Sequence, residues 1–332
     1  VILLVLLMAI LPALAVSIAF GSISIPVATT FSMLLGNGAG VEETLKVIIL
    51  QLRLPKAIAA FFVGGGLSLV GVAMQALVRN PLAEPYVLGV SGGASAGASL
   101  FYLGLVPTLI ATQLDLAFAS FLGALLSISM VYLVARSSGS LSVSRLLLAG
   151  VAMASFMAAI SSFVYFATPD LNRMRSVLFW LMGSFYHITW ADLPAAIAVT
   201  LAGGGILLGL SRSLDAMLIG EEPAQSLGVP VESVKKILIV LSALVTGTLV
   251  SVSGAIGFVG LIIPHSVRSL MGVNHRYVLP GSFLAGGIFL VLADTLARSI
   301  LPGQQLPVGI VTAIAGVPFF LFLLRRTDYQ FK

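Results

Sequence analysis

The chain has 332 residues, 59% of them hydrophobic and only 9% charged, with no cysteine and a formal net charge of +5. Soluble domains carry about 25% charged residues, so this balance excludes an ordinary water-soluble enzyme. The lack of cysteine excludes a disulfide framework and a thiolate metal site.

Apolar runs predict ten helices, because lipid offers the backbone no hydrogen-bond partners and a run of roughly 20 apolar residues crosses a bilayer core as a helix. The first lies near residues 1–20. The chain opens on Val1, so N-terminal residues are expected to precede it, and the run to Phe20 reads as a first span, with a cleaved signal as the competing reading. A second helix near 55–79 stops at Arg79-Asn80-Pro81, since proline lacks an amide donor and biases its predecessor out of the helical region. Arg79 and Glu84 place charge in this turn, where water is expected to be near. A third helix near 88–106 opens on the small-residue run Gly89 to Ser95, which lets its backbone approach neighbours closely. Helices near 114–136 and 144–168 complete the first half.

The second half supplies helices near 193–211, 233–252, 255–269, 277–297 and 306–324. The eighth is short and contains Pro264, which points to packing against protein instead of lipid. No long linker divides the chain, so residues 1–332 read as one transmembrane domain. Val90-Ser91-Gly92 recurs as Val252-Ser253-Gly254 about half the chain later, and five spans followed by five would give halves of inverted topology. With both termini on the cytoplasmic side, only Lys46, Arg53, Lys56, Arg173, Arg175 and Arg298 of the 17 basic residues fall on the other face. The excess of basic residues inside favours this orientation, and it explains the high pI without nucleic-acid binding.

Few residues offer chemistry. There is no G-x-x-x-x-G-K-[ST] loop, so any ATP that powers this chain must bind another subunit. His187, His265 and His275 lie in separate segments without an i,i+4 pair, which argues against a metal site. Gly89-Val-Ser91-Gly92 fits the G-x-S-G pattern of rhomboid-type intramembrane proteases, with His265 as the conceivable base, although glycine-rich helices generate so short a pattern readily. An ion-coupled carrier would place carboxylates near the bilayer midplane, whereas Asp294 lies toward a helix end. Gln75 and Asn172 are pathway candidates; equally, each amide could bond a neighbouring helix. Arg53 and Lys56 read locally as snorkelling helix-end charges, and Asp294 with Arg298 as an i,i+4 pair.

The stretch from Met74 to Ser95, M-Q-A-L-V-R-N-P-L-A-E-P-Y-V-L-G-V-S-G-G-A-S, resembles the permease subunit of FecCD-type ABC transporters, the importers of iron-siderophores, haem and cobalamin. The resemblance covers almost the whole chain. It implies an all-α permease that pairs with a second copy of itself, with two ATPase subunits below, a soluble binding protein above and the pathway along the dimer interface. It places the assembly in a bacterial-type cytoplasmic (inner) membrane. No cofactor is expected on this chain, with ATP and Mg on the partner ATPase.

Several residues acquire roles through this resemblance. Leu214 to Pro230 resembles the family's coupling helix-turn-helix, with Gly220, Glu221, Glu222, Pro223, Ala224, Gln225, Ser226, Leu227 and Gly228 at its centre. Pro223 suits a first helical turn, the two glutamates favour its positive end, and Gly228 suits the stop. Arg53, Lys56 and Arg298 match positions that receive acidic residues of the binding protein; Lys56 keeps the charge of the arginine common in relatives but lacks its bidentate fork. Ser142, Val143 and Ser144 match an inner gate, where Val143 departs from a hydroxyl residue, and a serine N-cap is the local alternative. His265 in G-L-I-I-P-H matches an element of the family core. The implied cargo is a metal chelate, haem or ferric siderophore first, then cobalamin, then molybdate or tungstate.

Overall fold

Ten spans' worth of apolar sequence folds into helices. The computed structural model describes residues 1–21, 25–34, 41–102, 116–137, 140–167, 171–301 and 304–325. In chain order the helices are α1 (Ile2–Ala19), α2 (Val27–Leu34), α3 (Glu43–Val47), α4 (Leu54–Val78), α5 (Val90–Tyr102), α6 (Leu116–Ala135), α7 (Val143–Ala167) and α8 (Leu171–Leu181). They continue as α9 (Leu193–Gly209), α10 (Ser211–Ile219), α11 (Glu221–Ser226), α12 (Val231–Ser253), α13 (Val259–Met271), α14 (His275–Ser299) and α15 (Val308–Arg325). Among the described residues, extended pairing is confined to Arg136–Ser137 against Ser140–Leu141.

All ten expected helices are present, with residues 103–106, 114–115 and 168 of the expected ranges lying outside the described residues. Among the described residues, seven helical elements are long and apolar enough to cross a membrane, whereas α5 and α13 have 13 residues each. The expected packing of the eighth helix against protein is observed, since Val259 through Pro264 are all buried. The segment before α4 differs from the sequence reading. Its polar residues and Pro55 resemble a connector, yet Ile48–Arg53 forms a π-turn that carries α3 into α4, making Glu43–Val78 one helical element. The wider turn accommodates Pro55, which has no N–H to contribute. The other unexpected elements are α2 and α8.

Helix α4 runs through the core, with α1, α9, α12, α13 and α14 packed around it. Glycines permit the closest approaches: a methyl group at Gly64 would strike the Gly286 carbonyl, and one at Gly71 the Gly260 carbonyl. In the small-residue run of α5, Gly93 similarly faces the Gly123 carbonyl of α6. Helix α12 touches α4, α5 and α6, so it joins this second cluster to the first.

The two short helices begin beside each other. Between α12 and α13 the chain passes through Gly254 and Phe258, whose φ values are +70° and +69°. The turn before α5 secures this break: Glu84 Oε1 accepts the Phe258 N–H at 2.6 Å, while the Tyr86 hydroxyl accepts the Ile256 N–H at 2.9 Å and donates to the Ile256 carbonyl at 2.8 Å. Thus Glu84, expected to meet water, bonds a backbone amide. In the two sets of five the third member is the short one, although the Val-Ser-Gly tripeptides differ in position: the first opens α5, and the second ends α12.

Candidate functional site

At one end of the bundle, α10 and α11 form a protruding corner. Gly220, at φ +142°, turns the chain between them, and Gly228, at φ +83°, turns it out of α11. Ala224 is buried beneath the corner, whereas Glu222, Pro223, Gln225, Ser226, Leu227 and Gly228 are exposed. Leu227, at 69% exposure, offers an apolar tip. Beneath it the buried Lys235 ammonium donates to Glu221 at 2.5 Å and Glu232 at 3.2 Å, fixing α11 to α12. Asp215 of α10 accepts from the His275 backbone N–H at 2.9 Å and faces its Nδ1 at 2.6 Å, fixing the corner to α14. Burial pushes the Asp215 carboxyl up, but the hydrogen bonds from His275 outweigh it and hold the group below the ordinary carboxylate range. A rigid base therefore carries an exposed, partly apolar knob.

At the opposite end, Arg53 and Arg298 are each only 6% exposed, because both serve the end of α1. Arg53 donates to the carbonyls of Ile18 at 2.6 Å and Ala19 at 3.1 Å, which the helix end leaves without intrahelical partners. Arg298 pairs with Asp294 at 2.8 Å and donates to the Ser17 hydroxyl at 2.9 Å. The local i,i+4 pair expected from sequence is thus present, and the snorkelling expected for Arg53 is replaced by helix capping. Lys56 is less buried, with its ammonium 5.2 Å from the Tyr186 ring centroid.

The remaining candidates are dispersed. Gln75 is fully buried; its Nε2 donates to the Gly260 and Leu261 carbonyls at 3.5 and 3.4 Å, and its Oε1 accepts from Arg268, so it ties α4 to α13. Asn172 belongs to the separate helix α8 instead of the end of α7, and its side chain lies outside the described residues. Ser142 Oγ accepts the Arg145 N–H at 3.4 Å as an N-cap of α7, with Val143 partly buried and Ser144 exposed beside it. Ser91 lies in α5, which packs on α6 and α7, whereas His265 lies in α13 with its ring against Phe319 of α15.

Sequence reasoning did not identify a cavity of about 620 Å³ at the Arg53 end. It opens between α8, the 183–192 loop and the ends of α5, α6 and α12, with Phe179, Trp180, Tyr186, His187, Arg175 and Asp192 in its wall. Only three-dimensional packing gathers these residues; the one sequence signal is the aromatic and histidine content of the 179–190 stretch.

The model of the FecCD transport family matches residues 5–326. The chain is 40% identical to the cobalamin import system permease protein of Halobacterium salinarum over 88% of this chain and 77% of the relative. It is 39% identical to the Fe(3+)-citrate import system permease protein of Bacillus subtilis over 85% and 82%, and 37% identical to the hemin transport system permease protein of Yersinia pestis over 85% and 84%. A solved structure, described as an inward-facing conformation of a transporter assigned to the metal-chelate ABC type, superposes with a TM-score of 0.85 at 31% identity, covering 98% of this chain and 99% of the other. These matches leave the rhomboid-type reading of Gly89–Gly92 without support. With a family model that spans residues 5–326 and relatives 37–40% identical over most of its length, the chain belongs to the FecCD transport family.

Proposed function

We propose that this chain is the membrane-spanning permease subunit of an ATP-driven, binding-protein-dependent importer for a metal chelate. The observation that carries the reading is the α10–α11 corner: an exposed Leu227 and Glu222 on a base locked by Lys235 and Asp215 can transmit a push from a soluble ATPase into α12 and α14. Two ATPase subunits, holding ATP and Mg, would engage this end of a homodimer. The sparsely buried α7, with 17% of its spanning window covered, exposes Val151, Phe156 and Phe163 and supplies an apolar face for the second copy.

The corner faces the cytoplasm in this reading, as do both termini, in agreement with the bias of basic residues. The binding protein docks on the Arg53 end, where Lys56 is the more accessible cation and Arg53 and Arg298 stiffen the surface from below. Ser142, Val143 and Ser144 stand at the cytoplasmic mouth as gate candidates. Haem and ferric siderophore are the preferred cargo, followed by cobalamin. The test is ATP hydrolysis: the purified chain alone hydrolyses none, whereas its complex with the partner ATPase does so and is stimulated by loaded binding protein. Hydrolysis by the rigorously purified single chain would overturn the proposal.

A further inference from the structure

The 620 Å³ cavity falls within the roughly 300–1,000 Å³ of sites that enclose drug-sized ligands. Flat faces dominate its wall through Tyr102, Phe179, Trp180 and Tyr186. Among the described residues, its fixed charges are Arg175 and Asp192. Together these two give a compact polyanion such as ferric citrate no net positive charge among the described residues. A conjugated macrocycle with carboxylates at one edge matches both the faces and the Arg175 guanidinium.

The loop bearing His187 is held rigidly. Gly183, at φ +73°, lies so close to the Ala255 carbonyl that a Cβ would approach it to 2.6 Å. The Ser184 N–H donates to the Ser253 carbonyl at 2.8 Å, Thr189 and Asp192 form a capping box, and Trp190 Nε1 donates to the Leu50 carbonyl at 2.9 Å. The Tyr186 ring centroid lies 5.2 Å from the Lys56 ammonium and 4.8 Å from that of the His187 imidazole, with the two ring planes perpendicular. His187 itself is exposed in the cavity wall, and among the described residues no hydrogen bond engages its ring. An imidazole so placed is available to a metal carried by the ligand.

We infer that this cavity is an entry site for an iron porphyrin, with His187 as axial ligand to the iron of the cargo, Arg175 as partner to a propionate, and Trp180 and Tyr186 as stacking walls. The inference rests on the importer reading and names its cargo class. Binding is a ligand exchange: the imidazole lone pair displaces a water from the ferric iron, and the oxidation state is unchanged. Lys56 acts here as a positioning residue, since it touches Tyr186 and not the ligand.

The test is absorbance titration of the full chain in lipid nanodiscs with hemin, with cyanocobalamin and ferric citrate as competitors. The wild type should show a saturable Soret shift that neither competitor reverses. His187→Ala should abolish that spectrum and weaken binding about tenfold or more, and Arg175→Gln should weaken hemin but not hemin dimethyl ester by about tenfold, the worth of a charge-assisted hydrogen bond. Gel filtration of each variant verifies folding. Wild-type spectra and affinity in both folded variants, no saturable shift in the wild type, or equal competition by cyanocobalamin would overturn the inference. ATP-driven uptake of a chelate by the complete transporter, unaffected by either variant, would remove the cavity's role and leave the importer reading standing. Absence of ATP-driven uptake for these three chelates and for ferric siderophores would instead sink the importer reading.

Discussion

Arg53 and Arg298 show how the same residue type can be read two ways until burial is known. From sequence they are basic residues near helix ends; in the structure their donors satisfy α1 carbonyls and Ser17, and Asp294 is buried with Arg298. Arg53→Ala should therefore lower thermal stability by about 2 kcal/mol, the order of lost hydrogen bonds to a charged group. Arg298→Met should cost more, about 3–5 kcal/mol, because it strands a buried carboxylate, and adding Asp294→Leu should recover much of the loss. Fluorescence-monitored melting in detergent checks both. An Arg298→Met variant as stable as wild type would show that the pair does not hold α1. Charge reversal at either position consequently tests folding before it tests docking, and Lys56→Glu is the cleaner probe of the binding-protein surface.

Individual elements were legible where one local signal dominated. Long apolar runs locate the ten main helices, and Gly220, Pro223 and Gly228 outline the corner before any coordinates are known. The π-turn at Ile48–Arg53 was not legible, because Pro55 normally marks a helix start and the compensating wide turn leaves no composition signal. Helix α8 is absent from the sequence reading, in which the fifth helix ends near 168, because its polar first turn resembles a connector, and the cavity it helps to enclose depends on five separated segments. The corner yields a test at the same scale. Glu222→Arg with Gly228→Pro alters an exposed charge and forces a residue with φ near −65° into a position at φ +83°, so ATPase association and transport should fall at least tenfold while the spans stay folded. Unchanged association and transport in the double variant would place the coupling contact elsewhere.

At the scale of the whole molecule, the proposed orientation and energy source can be examined separately. The chain has no cysteine, so single cysteines report topology without background. Leu227→Cys should react with a membrane-impermeant maleimide in inside-out vesicles and not in intact cells, and Tyr186→Cys should show the reverse pattern. Labelling of both from the same side would contradict a bundle with the corner inside and the cavity outside.

The most direct measurement of the central claim is uptake of iron-labelled hemin or ferric siderophore into proteoliposomes containing this permease, its ATPase and its binding protein. Accumulation should require all three proteins and hydrolysable ATP, and it should stop when the ATPase is omitted. Equal accumulation by the permease alone, or accumulation driven by a proton or sodium gradient without ATP, would contradict it.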